Sequence, residues 1–109
     1  MTYNVSINRN KLGNKMTDLL EISSILKNLE TEESVCNFLT DLLTENEIST
    51  LSKRWRILKL LAKGETQRKI ATDLNVGLCK VTRGAKILKN RKSVITKNLI
   101  KEKNNVANK

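Results

Sequence analysis

Recognition chemistry concentrates in residues 64–84, GETQRKIATDLNVGLCKVTRG. Two apolar ladders, Ile70-Ala71-Leu74 and Leu78-Val81-Ala85-Leu88, are separated there by Asn75-Val76-Gly77. Lys80, Thr82, Arg83 and Lys86 lie off the second ladder, and Gln67 and Arg68 open the first. Ammonium, guanidinium, amide and hydroxyl donors carried on one helix face pair with phosphate oxygens and base-edge acceptors, which is the chemistry of DNA binding rather than of bond making. An enzyme is the least favoured class, because there is no histidine, no nucleotide-binding loop and no paired carboxylate in the basic half of the chain. Cys36 and Cys79 lie 43 positions apart and without a histidine form no zinc-finger pattern. Both are expected to be reduced packing residues, with no metal and no resident cofactor.

The elements that must hold these donors read as helices nearly throughout, in a chain without proline. Residues 16–30 set Leu19, Leu20, Ile22, Ile25, Leu26 and Leu29 at helical spacing, a broad apolar face that must be covered. Thr31-Glu32-Glu33 starts a second helix, with acids favoured by the positive end of the helix dipole. Thr44 and Glu47 have the spacing of a capping box and start a third, along Ile48, Leu51, Trp55, Leu58 and Ala62, which Gly64 is placed to end. Trp55, the single tryptophan, is expected in the core or a subunit interface. Thr66 caps a helix from residue 67 to about 74; Asn75 suits the left-handed turn, Gly77 loosens the connection, and a further helix runs from about 78 to 89. Such a pair, with Ala71 small at the crossing and Val81 locking it, is the helix-turn-helix pattern, expected over about residues 66–90. Ser93 caps a last segment carrying Val94, Ile95, Leu99 and Ile100, beyond which KEKNNVANK is too polar to pack.

The expected organisation is therefore a mobile arm over residues 1–14, one all-α domain over 15–103 and a basic polar tail over 104–109. With 109 residues and one each of Trp, Tyr and Phe, the core must be small and aliphatic, a shortage that a dimer with a shared core relieves. Charge is divided sharply: residues 1–52 carry 4 Lys or Arg against 8 Asp or Glu, whereas residues 53–109 carry 17 against 3, a net +14 within a total of +10. That is the electrostatic footprint of a polyanion binder. No apolar run is long enough to span a membrane and no signal-peptide core is evident, so a cytoplasmic protein without membrane partners is expected. An RNA binder or dimeric interaction module relying on the basic tail remains a competing class.

LLTENE at residues 42–47 and LSKRWRILKLLAKGETQRKIATDLNVGLCKVTRGAKILK at 51–89 resemble the tryptophan repressor family. Three elements occur in order: the LLT cap, the R-x-R-I helix at 54–57 leading to L-x-x-G-E, and V-T-R-G at 81–84. The resemblance implies an intertwined helical homodimer with a helix-turn-helix DNA-reading head, a transcriptional repressor that binds a palindromic operator when L-tryptophan, as corepressor, occupies a pocket beside each recognition helix. Carried over by position, Arg54 and Arg83 would cover the two faces of the indole, and Arg83 would hold the carboxylate. Thr44 would contribute a hydroxyl, and the backbone carbonyls of Asp41 and Leu43 from the second subunit would receive the ammonium. Arg68, Leu78, Cys79, Lys80, Thr82 and Lys89 match DNA-contacting positions; Gln67 and Lys86 join them from the reading of the helix faces. Ile87 stands where typical members have a serine near the ligand's polar end, and one residue is missing between Glu65 and Thr66. These departures keep a second reading open, a family DNA binder that ignores tryptophan or answers another small molecule.

Overall fold

A computed structural model describes residues 14–107, with side chains through Ile100. Six helices account for almost all of it: α1 (Asn14–Asn28), α2 (Glu32–Leu42), α3 (Glu45–Ala62), α4 (Gln67–Leu74), α5 (Leu78–Lys89) and α6 (Val94–Ala107). No strand occurs among the described residues. The mobile arm read in residues 1–13 lies outside them, as do the last two residues of the tail, while Asn14 already belongs to α1. Helical backbone continues to Ala107, through most of the segment read as a polar tail. The chain divides into two compact units at Thr44.

In the first unit, Thr31 is extended (φ −126°, ψ 155°) and its hydroxyl accepts the Ser34 N–H at 3.0 Å, satisfying one of the open donors of α2. Glu32 and Glu33 follow in the first turn, where the helix dipole favours them. Neither α1 nor α2 has a buried residue; Leu19, Ile25 and Leu42 are each about half exposed in the single chain. Cys36 is a free, exposed thiol, which corrects its expected packing role.

The second unit contains the core. Ile57, Ile70 and Val81 pack together at its centre, with Leu60, Leu61, Ala71, Leu74 and Val76 around them. Their spacing puts each on the inner face of its helix, so α3, α4 and α5 close on one another. Both sharp turns close the same way. Gly64 takes φ +97°, its N–H donates to the Leu61 carbonyl and the Glu65 N–H to the Leu60 carbonyl; Asn75 takes φ 53°, its N–H donates to Thr72 and the Val76 N–H to Ala71. Each left-handed residue thus lets the chain reverse while satisfying the last carbonyls of α3 and α4. Thr66 caps α4 by accepting the Lys69 N–H at 3.2 Å.

Gly84 is buried where α5 meets α3. A Cβ there would lie 3.1 Å from Ile57 Cγ2 and 3.1 Å from Leu61 Cδ1, so a hydrogen in place of a side chain is what permits the close approach. Gly77 has the ordinary dihedrals φ −66°, ψ 143° and serves as an N-cap without a side-chain bond, so its glycine character is not demanded by the backbone.

The last helix is tied down by a polar contact. Thr96 is buried, and its hydroxyl donates to the Ile87 carbonyl at 2.8 Å, serving one of the terminal carbonyls of α5. Leu99 is buried as well, whereas Val94 and Ile100 of the expected apolar face are exposed. Thr96→Val preserves shape and deletes that bond; because the Asn90 N–H still donates to Ile87, a loss of about 1 kcal/mol is expected. A lower urea midpoint with an unchanged slope is the signature to look for, and an unchanged midpoint would remove Thr96 from the fold's supports.

Two further expectations are corrected in this unit and a third is narrowed. Leu78, read into the buried ladder, is 47% exposed at the first position of α5, one turn before the buried Val81. Of the two places expected for Trp55, the core of the single chain is excluded by its 42% exposure, which leaves the subunit interface. Cys79 is a free, exposed thiol beside the start of α5, not a packing residue. No helix among the described residues is long and apolar enough to cross a membrane, and no cluster of three potential metal ligands occurs among them.

Candidate functional site

Between α3 and α5 lies a cavity of about 260 Å³. Leu51, Arg54, Trp55 and Leu58 line it from α3, and Lys80, Arg83, Gly84 and Ile87 from α5. Each set follows the i, i+3, i+4, i+7 spacing that keeps side chains on one helix face. Ile57, from the core side of α3, and Ile95 of α6 complete the wall. The cavity is thus an apolar slot with three cations at it and no carboxylate, suited to a small molecule with a flat apolar body and an anionic group. Arginine is well matched to that task, since its guanidinium both stacks on aromatic faces and forks onto a carboxylate.

The positive field around the slot is left unneutralised for a specific reason. Residues 53–109 contain three acids, and two of them are engaged by one lysine: Lys69 Nζ lies 2.9 Å from Asp73 Oδ2 and 3.8 Å from Glu65 Oε2. The hydrogen bond to Asp73, reinforced by its charge and that of Glu65, raises the Lys69 pKa above the usual lysine value. The ammonium of Lys69 is therefore committed within α4, while Arg68 beside it is exposed without such a partner among the described residues.

The residues read as DNA contacts lie largely on α5 outside the cavity wall, except Lys80, which is also part of that wall. Leu78, Cys79, Lys80, Thr82, Lys86 and Lys89 are all exposed, as is Arg68 on α4; Gln67, also on α4, is half-buried. Thr82 Oγ1 donates to Gln67 Oε1 at 3.0 Å, bridging the two helices across the turn. That bond commits the Thr82 hydroxyl hydrogen and leaves the Gln67 NH₂ as the donor of the pair. α5 therefore lines the cavity and carries exposed polar groups at once, with Lys80 and Arg83 both exposed and in the cavity wall.

Of the ligand residues inferred from resemblance, Arg54, Arg83 and Ile87 come together at the cavity. Asp41, Leu43 and Thr44 belong to the first unit: Asp41 in the last turn of α2, Leu43 as its extended C-cap (φ −100°, ψ 146°), and Thr44 immediately before α3. Sequence reading missed Leu51, Trp55, Leu58, Gly84 and Ile95 as wall residues, as well as Ile57 and Lys80, the latter read only as a DNA contact. The signal for the first three was present, because they share the face of Arg54 at helical spacing; for Gly84 and Ile95 it lay in packing between helices.

A fold that is helical throughout its described residues, and whose most basic helix, α5, also walls a small ligand-sized cavity, has the form of a DNA-binding regulator. Comparison with known proteins specifies the kind. The family model for the Trp repressor protein matches residues 17–103. Two curated relatives, each described as a Trp operon repressor homolog, from Vibrio vulnificus strains YJ016 and CMCP6, are 36% identical over 74 residues, covering 67% of this chain and 72% of each relative. No solved structure matches it. The chain belongs to the Trp repressor family, and is a repressor-type regulator from a family of DNA-binding proteins rather than enzymes.

Proposed function

We propose that the protein is a sequence-specific transcriptional repressor working as an intertwined homodimer on a palindromic operator, with α4 and α5 as a helix-turn-helix reading head and L-tryptophan as corepressor. The observation that carries the proposal is that α5 supplies both one wall of the cavity, through Lys80, Arg83, Gly84 and Ile87, and the exposed cations Lys80, Lys86 and Lys89. A ligand wedged between α3 and α5 bears directly on the helix that would enter the major groove. Ligand that fits only one placement of α5 raises DNA affinity by its differential affinity for that placement. Arg54 and Arg83 would clamp the indole, with Arg83 on the carboxylate. Thr44 and the carbonyls of Asp41 and Leu43 would receive the polar end from the second subunit.

Support for the dimer comes from the uncovered apolar residues of α1 and α2, since half-exposed Leu19, Ile25 and Leu42 on two helices with nothing buried call for a partner surface. Two-fold symmetry then sets two reading helices about 34 Å apart, one turn of DNA, and makes the operator a palindrome.

A second reading rests on Ile87. An aliphatic side chain in the cavity wall offers no hydroxyl to an ammonium, which favours a different ligand or none. Fluorescence anisotropy with a labelled trp-operator-like palindrome at fixed salt, with and without millimolar L-tryptophan, separates the two. Tightening of tenfold or more, about 1.4 kcal/mol of coupling, is expected. Specific binding that ignores tryptophan would transfer the protein to the second reading.

A further inference from the structure

Two uncharged side chains outside the cavity wall are joined between α4 and α5. Thr82 Oγ1 donates to Gln67 Oε1 at 3.0 Å, across 15 positions of sequence. Gln67 is the first residue of α4 and is half-buried, with its amide oxygen drawn back to α5, while Thr82 is exposed. An amide carries its acceptor and its donors on two branches of one planar group, so aiming the oxygen at α5 turns the NH₂ away from it. Thr82, its hydrogen committed, has only lone pairs left to offer. Reversing the amide would require the hydroxyl hydrogen to find another acceptor. That requirement is most costly at a surface from which bound DNA displaces water, so the orientation is held most firmly in the complex.

We propose that Thr82 positions Gln67 to read a base by donation alone, which selects guanine and rejects adenine at the place in the operator that Gln67 meets. The proposal rests on α4 and α5 being the DNA-reading head, and stands whether or not tryptophan fills the cavity. In the major groove guanine offers two acceptors, N7 and O6, whereas adenine sets the N6 amino donor beside its N7 acceptor. The paired contact of a glutamine with adenine therefore needs the amide oxygen and the NH₂ aimed together at the base edge. With Oε1 turned to Thr82 that pairing is lost. An NH₂ presented alone meets acceptors at both positions on guanine and is opposed by the amino group of adenine. Thr82 thus acts through Gln67 as a positioning residue and adds no donor of its own to the DNA contact.

The test selects sites from a randomised duplex library with the full-length protein and with Gln67→Ala, Thr82→Val and Thr82→Ser, each with and without L-tryptophan. Affinities for the recovered sites are then measured by fluorescence anisotropy at fixed salt. The wild type is expected to prefer guanine over adenine at one position of each half-site by about tenfold. Gln67→Ala brings that position to near parity and leaves the preferences elsewhere intact. Thr82→Val keeps the β-branched shape but removes the hydroxyl, so the amide is free to turn and the same position relaxes or moves toward adenine; Thr82→Ser, which keeps the hydroxyl, retains guanine. Unchanged helical circular dichroism separates these shifts from a loss of fold. A wild type that recovers no preferred sequence overturns DNA reading and this proposal with it. A preferred sequence with adenine at the Gln67-dependent position, a Thr82→Val protein with wild-type preferences, or a uniform loss of affinity across all sequences, as a phosphate contact gives, overturns this proposal alone.

Discussion

Arg83→Ala is expected to abolish the tryptophan-dependent gain in operator affinity while leaving the helices folded. Arg83 is exposed, makes no ion pair among the described residues and lines the cavity from α5, so its removal opens no hole in the core. What is lost is the interaction with ligand: a charge-assisted bidentate pair with a carboxylate and a stacked guanidinium, together about 2–4 kcal/mol. Ligand affinity should fall by roughly 30-fold to 1000-fold by titration calorimetry, since each 1.4 kcal/mol is a factor of ten. Arg83→Lys should recover only part of it, because an ammonium restores charge but neither the fork nor the flat face. An Arg83→Ala protein whose operator affinity still rose fully with tryptophan would remove this residue from the clamp and weaken the corepressor assignment.

Gly84→Val is expected to produce the largest loss of stability. Even the first added carbon lies 3.1 Å from side-chain atoms of both Ile57 and Leu61, and 3.6 Å from Leu58, and those residues belong to or flank the buried centre of the second unit. For alanine, overpacking of about 1–3 kcal/mol is partly offset by the gain of about 1 kcal/mol in helix propensity over glycine. Valine adds two more methyl groups at the contact and loses much of that propensity gain, so a cost of about 3 kcal/mol or more is expected. For a chain of this size that lowers the melting temperature by roughly 12–24 °C, measured by circular dichroism at matched protein concentration because dimerisation makes Tm concentration-dependent. A wild-type Tm in Gly84→Val would mean that α3 and α5 do not close on one another at this glycine.

These substitutions probe opposite demands on one helix. α5 must approach α3 closely enough at Gly84 to build a core, and must leave a slot beside it for the side chains of Arg83 and Ile87. A glycine and an arginine at neighbouring positions do both, because the close approach pivots where there is no side chain and the space opens where a long one begins.

Much of the local structure was legible in the sequence because its causes are local. Thr66 caps α4 and Asn75 adopts the left-handed turn as read, and α4 and α5 span the residues predicted for them. A capping hydroxyl, an asparagine tolerant of positive φ and a glycine after a helix act on backbone groups within four residues of themselves, so no knowledge of the fold is needed. The division of charge was equally available, since it depends on composition alone.

Periodicity marks an apolar residue without saying whether anything covers it. Ile70 and Val81 are fully buried, yet Leu78 on the ladder of Val81 and Trp55 on α3 are exposed in the single chain. Thr96 reads as a polar residue on an amphipathic helix, but its burial follows from α6 lying across the end of α5, where the Ile87 carbonyl needs a donor. Distances between residues 27 positions apart, as between Ile57 and Gly84, are set by how whole helices cross. Helix limits, turns and the division of charge were readable from the chain because they depend on neighbouring side chains and backbone alone. That Trp55 and Gly84 join Arg54 and Arg83 in one cavity wall follows from how α3 and α5 pack, because cavities form where packed helices fail to touch.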